Sequence, residues 1–419
     1  MPLSSNYDVI VAGGGPAGST AAALLAQEGH SVLLAEKSSG PTFKVGESLM
    51  PSAYWVLERL GVLDKMRASG YPAKHSVQFY TPEGHPSKPF YFHERDAHES
   101  SQTWQVERET FDEMLIENAA SRGAEVVRGA SVKRFLFEEE QAVGVRLQLA
   151  GDQEPRSILG RVVVDATGQS ARLSRQLGLH LPSENRRNAA IFTHFENARR
   201  DSGIDAGATI IFHTKDGECW FWFIPQPHGR VSVGVVGPLD RLIQGRQGDP
   251  QRIFEEELTL CEPLGERLEE ATQTMAMRVI RDFSYRSSQL AGNGWVLVGD
   301  AYGFIDPIYS TGVFLALKSA EMAADAVHSA LEQDDLTGQA LGSFAESLGQ
   351  GLDAFAHLVD AFYDPDFSFG KFLKRYPELQ GDLVDMLVGK VFEKPTERLV
   401  TALDEMLLSP QSEPAQTLK

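Results

Sequence analysis

Apolar positions along this chain follow three patterns. Short runs at 9–12, 162–164 and 295–298 are apolar at every position, as in strands covered on both faces. The first is followed by a glycine turn, an Ala-rich stretch and a second apolar run, so residues 7–37 predict strand, helix and strand. Residues 162–179 predict a strand running into a glycine turn, and 294–320 a strand, a glycine-rich turn and a long helix starting near Gly312. In 70–105 and 185–285 apolar and polar residues instead alternate in short runs. "AAIFTHFEN", "ATIIFHT" and "RVSVGVV" there read as strands of a covering sheet. Beyond residue 330 the pattern turns helical and acidic, with turn punctuation at Asp364 and Pro365 and at Lys394 and Pro395.

The expected architecture is α/β. A first unit (about 6–69, 106–182 and 290–330) is interleaved with an antiparallel sheet (about 70–105 and 185–285), and 331–419 form a helical cap. One stretch stands out: "WFWFIP", four consecutive aromatics followed by isoleucine and proline. In a strand Trp220, Trp222 and Ile224 face one side, and Phe221 and Phe223 the other. Taken alone, it reads as a core strand ended by a proline that cannot donate to the ladder.

The turn after the first strand carries Gly13, Gly15 and Gly18 at G-x-G-x-x-G spacing. Gly13 permits the tight turn, Gly15 lets backbone approach a pyrophosphate, and Gly18 lets the helix pack on the strand with its dipole toward the phosphates. Glu36 closes the second strand, where a carboxylate binds both ribose hydroxyls and disfavours a 2′-phosphate, leaving FAD or NAD. Two later segments favour FAD. Asp300 ends its strand where a carboxylate can accept from a ribityl hydroxyl, and the helix start at Thr311 and Gly312 offers free N–H groups to an anionic ring or small anion.

Composition narrows the partners. With 58 acidic and 39 basic side chains the formal net charge is −19, which repels nucleic acid and anionic membrane. Cys219 and Cys261 are too few for a disulfide framework and lack metal-ligand spacing, so they are expected to be reduced thiols in a cytoplasmic protein, with no metal. The N-terminus leaves no room for a signal peptide, and no apolar run approaches the roughly 20 residues of a membrane helix.

In its three glycine turns the chain, from about residue 6 to 330, resembles the FAD-binding fold of the aromatic hydroxylases, a Rossmann-type domain. That resemblance implies that Asp300 and the turn after it contact the ribityl chain and pyrophosphate, and that Arg108, in "VERETFDEML", lies beside the cofactor. Within the superfamily, "WFWFIP" fits the W-x-W-x-I-P of the flavin-dependent halogenases at Trp220, Trp222, Ile224 and Pro225. "KVGESLMP" resembles their G-E-S-x-x-P at Gly46, Glu47, Ser48 and Pro51, and Lys74 follows where the branch carries its active-site lysine. "DPIYSTGV" resembles the loop leading to their halide site.

The resemblance implies cofactor contacts at Gly13, Gly15, Ala17, Gly18, Glu36 and Lys37, then at Glu47, Ser48, Arg108, Asp300, Gly312 and Val313. It implies a halide at Ser310, Thr311 and Gly312. It further implies FAD used as FADH2, a halide cosubstrate, a separate flavin reductase, and a small aromatic substrate, free or tethered to a carrier protein. In such a site Trp220 and Trp222 wall the substrate from the oxidant, and Lys74 meets hypohalous acid beyond that wall; desolvation lowering its pKa would help it do so. Tyr309 departs from the tryptophan halogenases, which carry a glutamate there. Without that carboxylate a phenol or pyrrole is the expected substrate. His75, beside Lys74, is a second candidate base. A monooxygenase or prenyl-type reductase without a halide step is the alternative, and a flavin-binding protein without turnover a third reading. Carrier proteins are usually acidic, so the charge of −19 opposes tethering unless a local basic patch exists.

Overall fold

The computed structural model describes residues 3–408 except 184–186, 245, 247 and 282. Residues 409–419 of the expected cap, and 185, 186, 245, 247 and 282 of the expected sheet region, lie outside the described residues. The strand Asn6–Ala12 pairs in parallel with Val32–Glu36 on one edge and Arg156–Asp165 on the other. Glu125–Arg128 and Trp295–Leu297 extend this parallel sheet at either side. Its inner strands are apolar at nearly every position because helices cover one face and further chain the other. The helices Pro16–Gln27 and Thr311–Glu332 pack on each other across it. The chain leaves the strands' C-terminal ends through the glycine turn, Glu36, residues 166–172 and Asp300, so one rim of the sheet collects all of them.

The second sheet runs Thr272–Gln273, Asn188–Glu196, Val231–Pro238, Trp220–Pro225, Thr209–His213, Ser76–Tyr80 and Phe90–Tyr91. The three segments read as strands from alternation are all in it. Its pairing is antiparallel except between Thr209–His213 and Ser76–Tyr80. Residues 239–268, inside the stretch expected to be sheet, instead form three short helices, Leu239–Leu242, Pro250–Leu258 and Glu262–Leu268. Local chemistry explains the second: Asp249 accepts from the Gln251 N–H, Pro250 takes the first helical position, and Ile253, Phe254 and Glu257 share a buried face.

The Trp220–Pro225 strand is interior and wholly buried. Trp220, Trp222 and Ile224 join Phe192, Ile211 and Val236 in the core toward the first sheet. Phe221 and Phe223 join Phe254, Val233 and Ile191 in a second core under the short helices. Cys219 and Cys261 are buried free thiols. The cap helix Ala345–Tyr363 buries Leu348, Leu352, Phe355, Leu358 and Val359 at helical spacing and stops at Asp364 before Pro365, where turn punctuation predicted a break. Among the described residues no helix is long and apolar enough to cross a membrane.

Gly234 faces Trp222 across the ladder, and a Cβ there would lie 2.3 Å from Trp222 Cζ2 and 2.5 Å from Phe192 Cβ. Gly234→Ala therefore overpacks the sheet and should destabilise the protein by about 1–3 kcal/mol in denaturant titration. An unchanged midpoint would mean that the indole is free to move aside.

Candidate functional site

The turn after Asn6–Ala12 is built by three glycines under different constraints. Gly13 has φ +109°, and a Cβ there would lie 2.3 Å from the Ala166 carbonyl oxygen; at Gly18 it would lie 1.8 Å from that of Gly13. At Gly15 a Cβ would meet nothing within 4 Å, because it points into a cavity. Gly15 also precedes the helix Pro16–Gln27 without a side-chain cap, so that helix's first N–H groups are left for a ligand.

Glu36 is buried yet ionised. Burial raises its pKa, but the Ser38 and Gly14 N–H groups, which donate to Oε1 at 2.8 Å and Oε2 at 2.7 Å, outweigh that and hold it below the usual range. Those bonds fix the carboxylate at the rim while it still lines the cavity. This cradle, with space beside Gly15 and a fixed carboxylate at Glu36, fits a dinucleotide.

The cavity measures about 680 Å³ and runs from Gly15 and Glu36, past Asp300 and the 307–313 loop, to Trp220, Trp222 and Ile224 of the second sheet. Among the residues the sequence pointed to, Gly13, Gly15, Ala17, Glu36, Lys37, Glu47, Ser48, Arg108, Asp300, Ser310, Gly312, Val313, Trp220 and Trp222 all line it. Gly18 and Thr311 are buried behind the lining, and Lys74 is set back from it.

Polar groups along this wall are tightly organised. Arg108 donates from Nε and Nη2 to both Asp112 oxygens and from Nη1 to the Val45 carbonyl. Enclosure pushes the Asp300 carboxyl up to about 6, against the pull of Arg108. Glu47 Oε1 lies 2.7 Å from His194 Nε2, while Glu47 Oε2 is buried with no protein partner. Sequence reasoning found Glu47 but gave no sign of its histidine, 147 positions away.

The helix Thr311–Glu332 opens toward the cavity with Ser310 in the left-handed region (φ 59°) and no side-chain cap. Ser310 and Gly312 line the cavity there, and the uncapped N–H groups carry the positive end of a 22-residue helix. Tyr309 is buried; its hydroxyl donates to the Leu358 carbonyl of the cap at 3.3 Å, so it offers no base.

Trp222 Nε1 donates to Ser232 Oγ at 3.1 Å, and Trp220 Nε1 to Tyr363 Oη at 3.0 Å. Tyr363 in turn donates to Asp306 Oδ2 at 3.0 Å. Phe362 packs against Trp220, Tyr309 and His213. Tyr363 and Phe362, which support the wall, were missed by sequence reading; Asp306 begins the DPIYSTGV loop, but nothing in the sequence signalled its bond to Tyr363. The chain break after Tyr363 was visible, but nothing showed which indole it would meet.

Lys74 is 4% exposed and, among the described residues, has no carboxylate partner. Its Nζ donates to Ser48 Oγ at 2.9 Å and the Leu49 carbonyl at 3.2 Å, and lies 5.7 Å from the Phe92 ring centre. Burial pulls its pKa down to about 7. His75 does not line the cavity, and burial and His93 lower its pKa. Among the described residues no cluster of three or more His, Cys, Asp or Glu could hold a metal.

Residues 6–334 match the FAD binding domain family. The chain is 32% identical to the 1H-pyrrole-2-carbonyl-(peptidyl-carrier protein) brominase of Pseudoalteromonas luteoviolacea, over 94% of both chains. It is 28% identical to the corresponding chlorinase of Pseudomonas fluorescens, over 98% of this chain and 95% of that one. The solved structure of flavin-dependent brominase Bmp2 superposes with a TM-score of 0.86 at 28% identity, covering 96% of this chain and 98% of that one. The myxobacterial chondrochloren halogenase CndH does so with 0.81 at 30%, covering 98% and 99%.

Two measurements probe this geometry. Gly15→Val should leave the cofactor-free melting temperature close to the parent's and abolish FAD uptake in equilibrium titration, since its side chain enters only the cavity. Retained FAD affinity would refute the cradle. For Lys74, the folded pKa of about 7 lies below the ordinary 10.5, so between those values the unfolded chain holds the extra proton and stability rises with pH. The melting-temperature advantage of Lys74→Met over the parent should be greatest at and below pH 7 and shrink toward pH 10.5. A gap independent of pH would mean a solvated amine.

Proposed function

Because this chain belongs to the FAD binding domain family and, within it, to the flavin-dependent halogenases, we propose that it installs chloride or bromide on a pyrrole- or phenol-type ring, with Lys74 as the residue that handles the oxidised halogen. It is an oxidoreductase that uses FAD, as FADH2, and a halide. The observation that supports the assignment of roles is that Trp220 and Trp222 line the cavity, with Trp220 bonded to the cap, while the buried amine of Lys74 is held by Ser48, another lining residue.

Gly15 and the helix start after it hold the pyrophosphate, Glu36 the adenosine ribose, and Asp300 the ribityl chain. The uncapped N–H groups at Thr311 and Gly312 hold the halide through the helix dipole. Bound reduced flavin, with oxygen, supplies the two-electron oxidation of that halide. The indoles keep the aromatic substrate out of the flavin cavity, each pinned by its own N–H hydrogen bond. Lys74, desolvated and near neutrality in pKa, can donate a hydrogen bond to hypohalous acid or attack it as a free amine. With Tyr309 spent on the cap carbonyl, the site presents no carboxylate at that position. A ring that is electron-rich without such help, a pyrrole or phenol, suits it.

Tethering to a carrier protein is supported by the two relatives that match over nearly their whole length, whose names specify a carrier-bound pyrrole. The charge objection has a local answer. On the helix Phe369–Arg375, which follows Tyr363 by a short turn, Lys371, Lys374 and Arg375 are exposed. That face suits an acidic carrier. A separate flavin reductase is part of the same proposal, since the dinucleotide cradle is taken by FAD.

The test supplies reduced FAD, oxygen and halide to the purified enzyme, with pyrrole-2-carboxyl on a carrier protein or a free phenol as substrate. Halogenated product should form, and Lys74→Ala should reduce it by at least about a hundredfold while oxidation of reduced flavin by oxygen continues. Product from the variant at the parent's rate would remove Lys74 from the chemistry. Hydroxylated product without halide would establish the monooxygenase instead.

A further inference from the structure

Lys74 is set back from the cavity, yet one chain of hydroxyls joins them. Lys74 Nζ is 2.9 Å from Ser48 Oγ, and Ser48 Oγ is 3.0 Å from Thr209 Oγ1. Ser48 and Thr209 are buried, and both line the cavity. Gln105 fixes the polarity of the chain. Its Nε2 donates to the Gly207 carbonyl at 2.8 Å and to Thr209 Oγ1 at 2.9 Å. Reversing that amide would set its oxygen against the carbonyl of Gly207, so Thr209 must accept from Gln105 and keep its own proton free to donate.

Two arrangements then satisfy every member. With Lys74 charged, it donates to Ser48, Ser48 to Thr209, and Thr209 into the cavity. With Lys74 neutral, Thr209 donates to Ser48, and Ser48 to the lysine lone pair. Passing between them carries one proton between amine and cavity. Resting on the halogenase reading, we propose that Thr209 and Ser48 form a proton relay that charges and discharges Lys74 from the cavity.

The overall reaction needs such a path. An aromatic C–H, a halide ion, oxygen, FADH2 and one proton give the aryl halide, FAD and two waters, so each turnover draws a proton into an enclosed site. Among the described residues no other titratable group bonds Lys74. Its strand neighbours, the Thr103–Trp104 pair, are uncharged. Glu47 is bound to His194, and Asp205 takes Tyr91 and Ser76. Burial and the neighbouring His93 lower the pKa of His75.

The relay is tested first in cofactor-free enzyme. Exchange of the Lys74 ammonium protons with water is followed by NMR of ¹⁵N-lysine-labelled protein, the resonance being assigned with Lys74→Met. Thr209→Val keeps the shape and removes the hydroxyl. It should slow exchange by at least about tenfold, and Thr209→Ser should restore it. Ser48→Ala should act as Thr209→Val does, and decides the matter if the valine variant does not fold. Exchange at the parent's rate in either variant, or no rescue by serine, overturns the relay. In the loaded enzyme Thr209→Val should also flatten the alkaline limb of the halogenation rate, while Thr209→Ser keeps it. If the parent makes no aryl halide the functional reading fails, but the exchange measurement still judges the relay.

Discussion

A strand hydrogen-bonded along both edges and buried on both faces cannot shift a side chain without disturbing the sheet, and this constraint governs the site. Trp220–Pro225 is such a strand, with Val231–Pro238 on one side and Thr209–His213 on the other. Its outward aromatics, Phe221 and Phe223, are anchored in a core of their own. Its inward pair cannot withdraw, and Gly234 leaves just enough room for the Trp222 ring. Core packing and the lining of the cavity are thus one structural feature. The bland expectation of a core strand is correct for one face and incomplete for the other, because the core that the indoles join is also the cavity wall.

The electrostatics of the wall divide into balanced and unbalanced charges. Arg108 with Asp112, and Glu47 with His194, pair charge-bearing groups that burial would otherwise make costly. Lys74 is treated differently: it has hydroxyl, carbonyl and ring contacts but no counter-charge. A fold gains no stability by burying an amine in this way, since the neutral form is favoured and even that must be hydrogen-bonded. Desolvated groups with displaced pKa values cluster at functional sites, which is what the proposed role of Lys74 draws on.

Much of this was legible from short-range pattern. The glycine spacing, Glu36 and Asp300 lie on turns whose geometry is set within a few residues, so sequence reveals them. "WFWFIP" was legible as a strand, and its alternate faces as two environments. What pattern could not supply was pairing across long separations: His194 with Glu47, Thr209 with Ser48, Tyr363 with Trp220. A hydroxyl or imidazole carries no periodicity of its own, and each meets its partner only after two sheets and a cap have assembled. Residues 239–268 failed for another reason. Sheet segments flank them, yet Asp249, Pro250 and the 3.6-residue spacing within 250–258 decide locally for helix.

The cap's hydrogen bonds hold the indole and the loop before the long helix in one register. Tyr363 accepts from Trp220 and donates to Asp306, and Asp306 Oδ1 accepts from the Ile308 N–H. One chain of contacts therefore ties the last turn of the cap helix, the indole wall and the loop that enters the long helix at Ser310. Moving the wall would break the tie to the cap, and moving the loop would break both. A halogenase needs the anion-binding loop held at a fixed place on one side of a barrier, and the ring on the other. Buried bonds of about 3 Å thus join the Trp220 indole, the cap and the loop before the long helix, which is the fixed spacing that the proposed function requires.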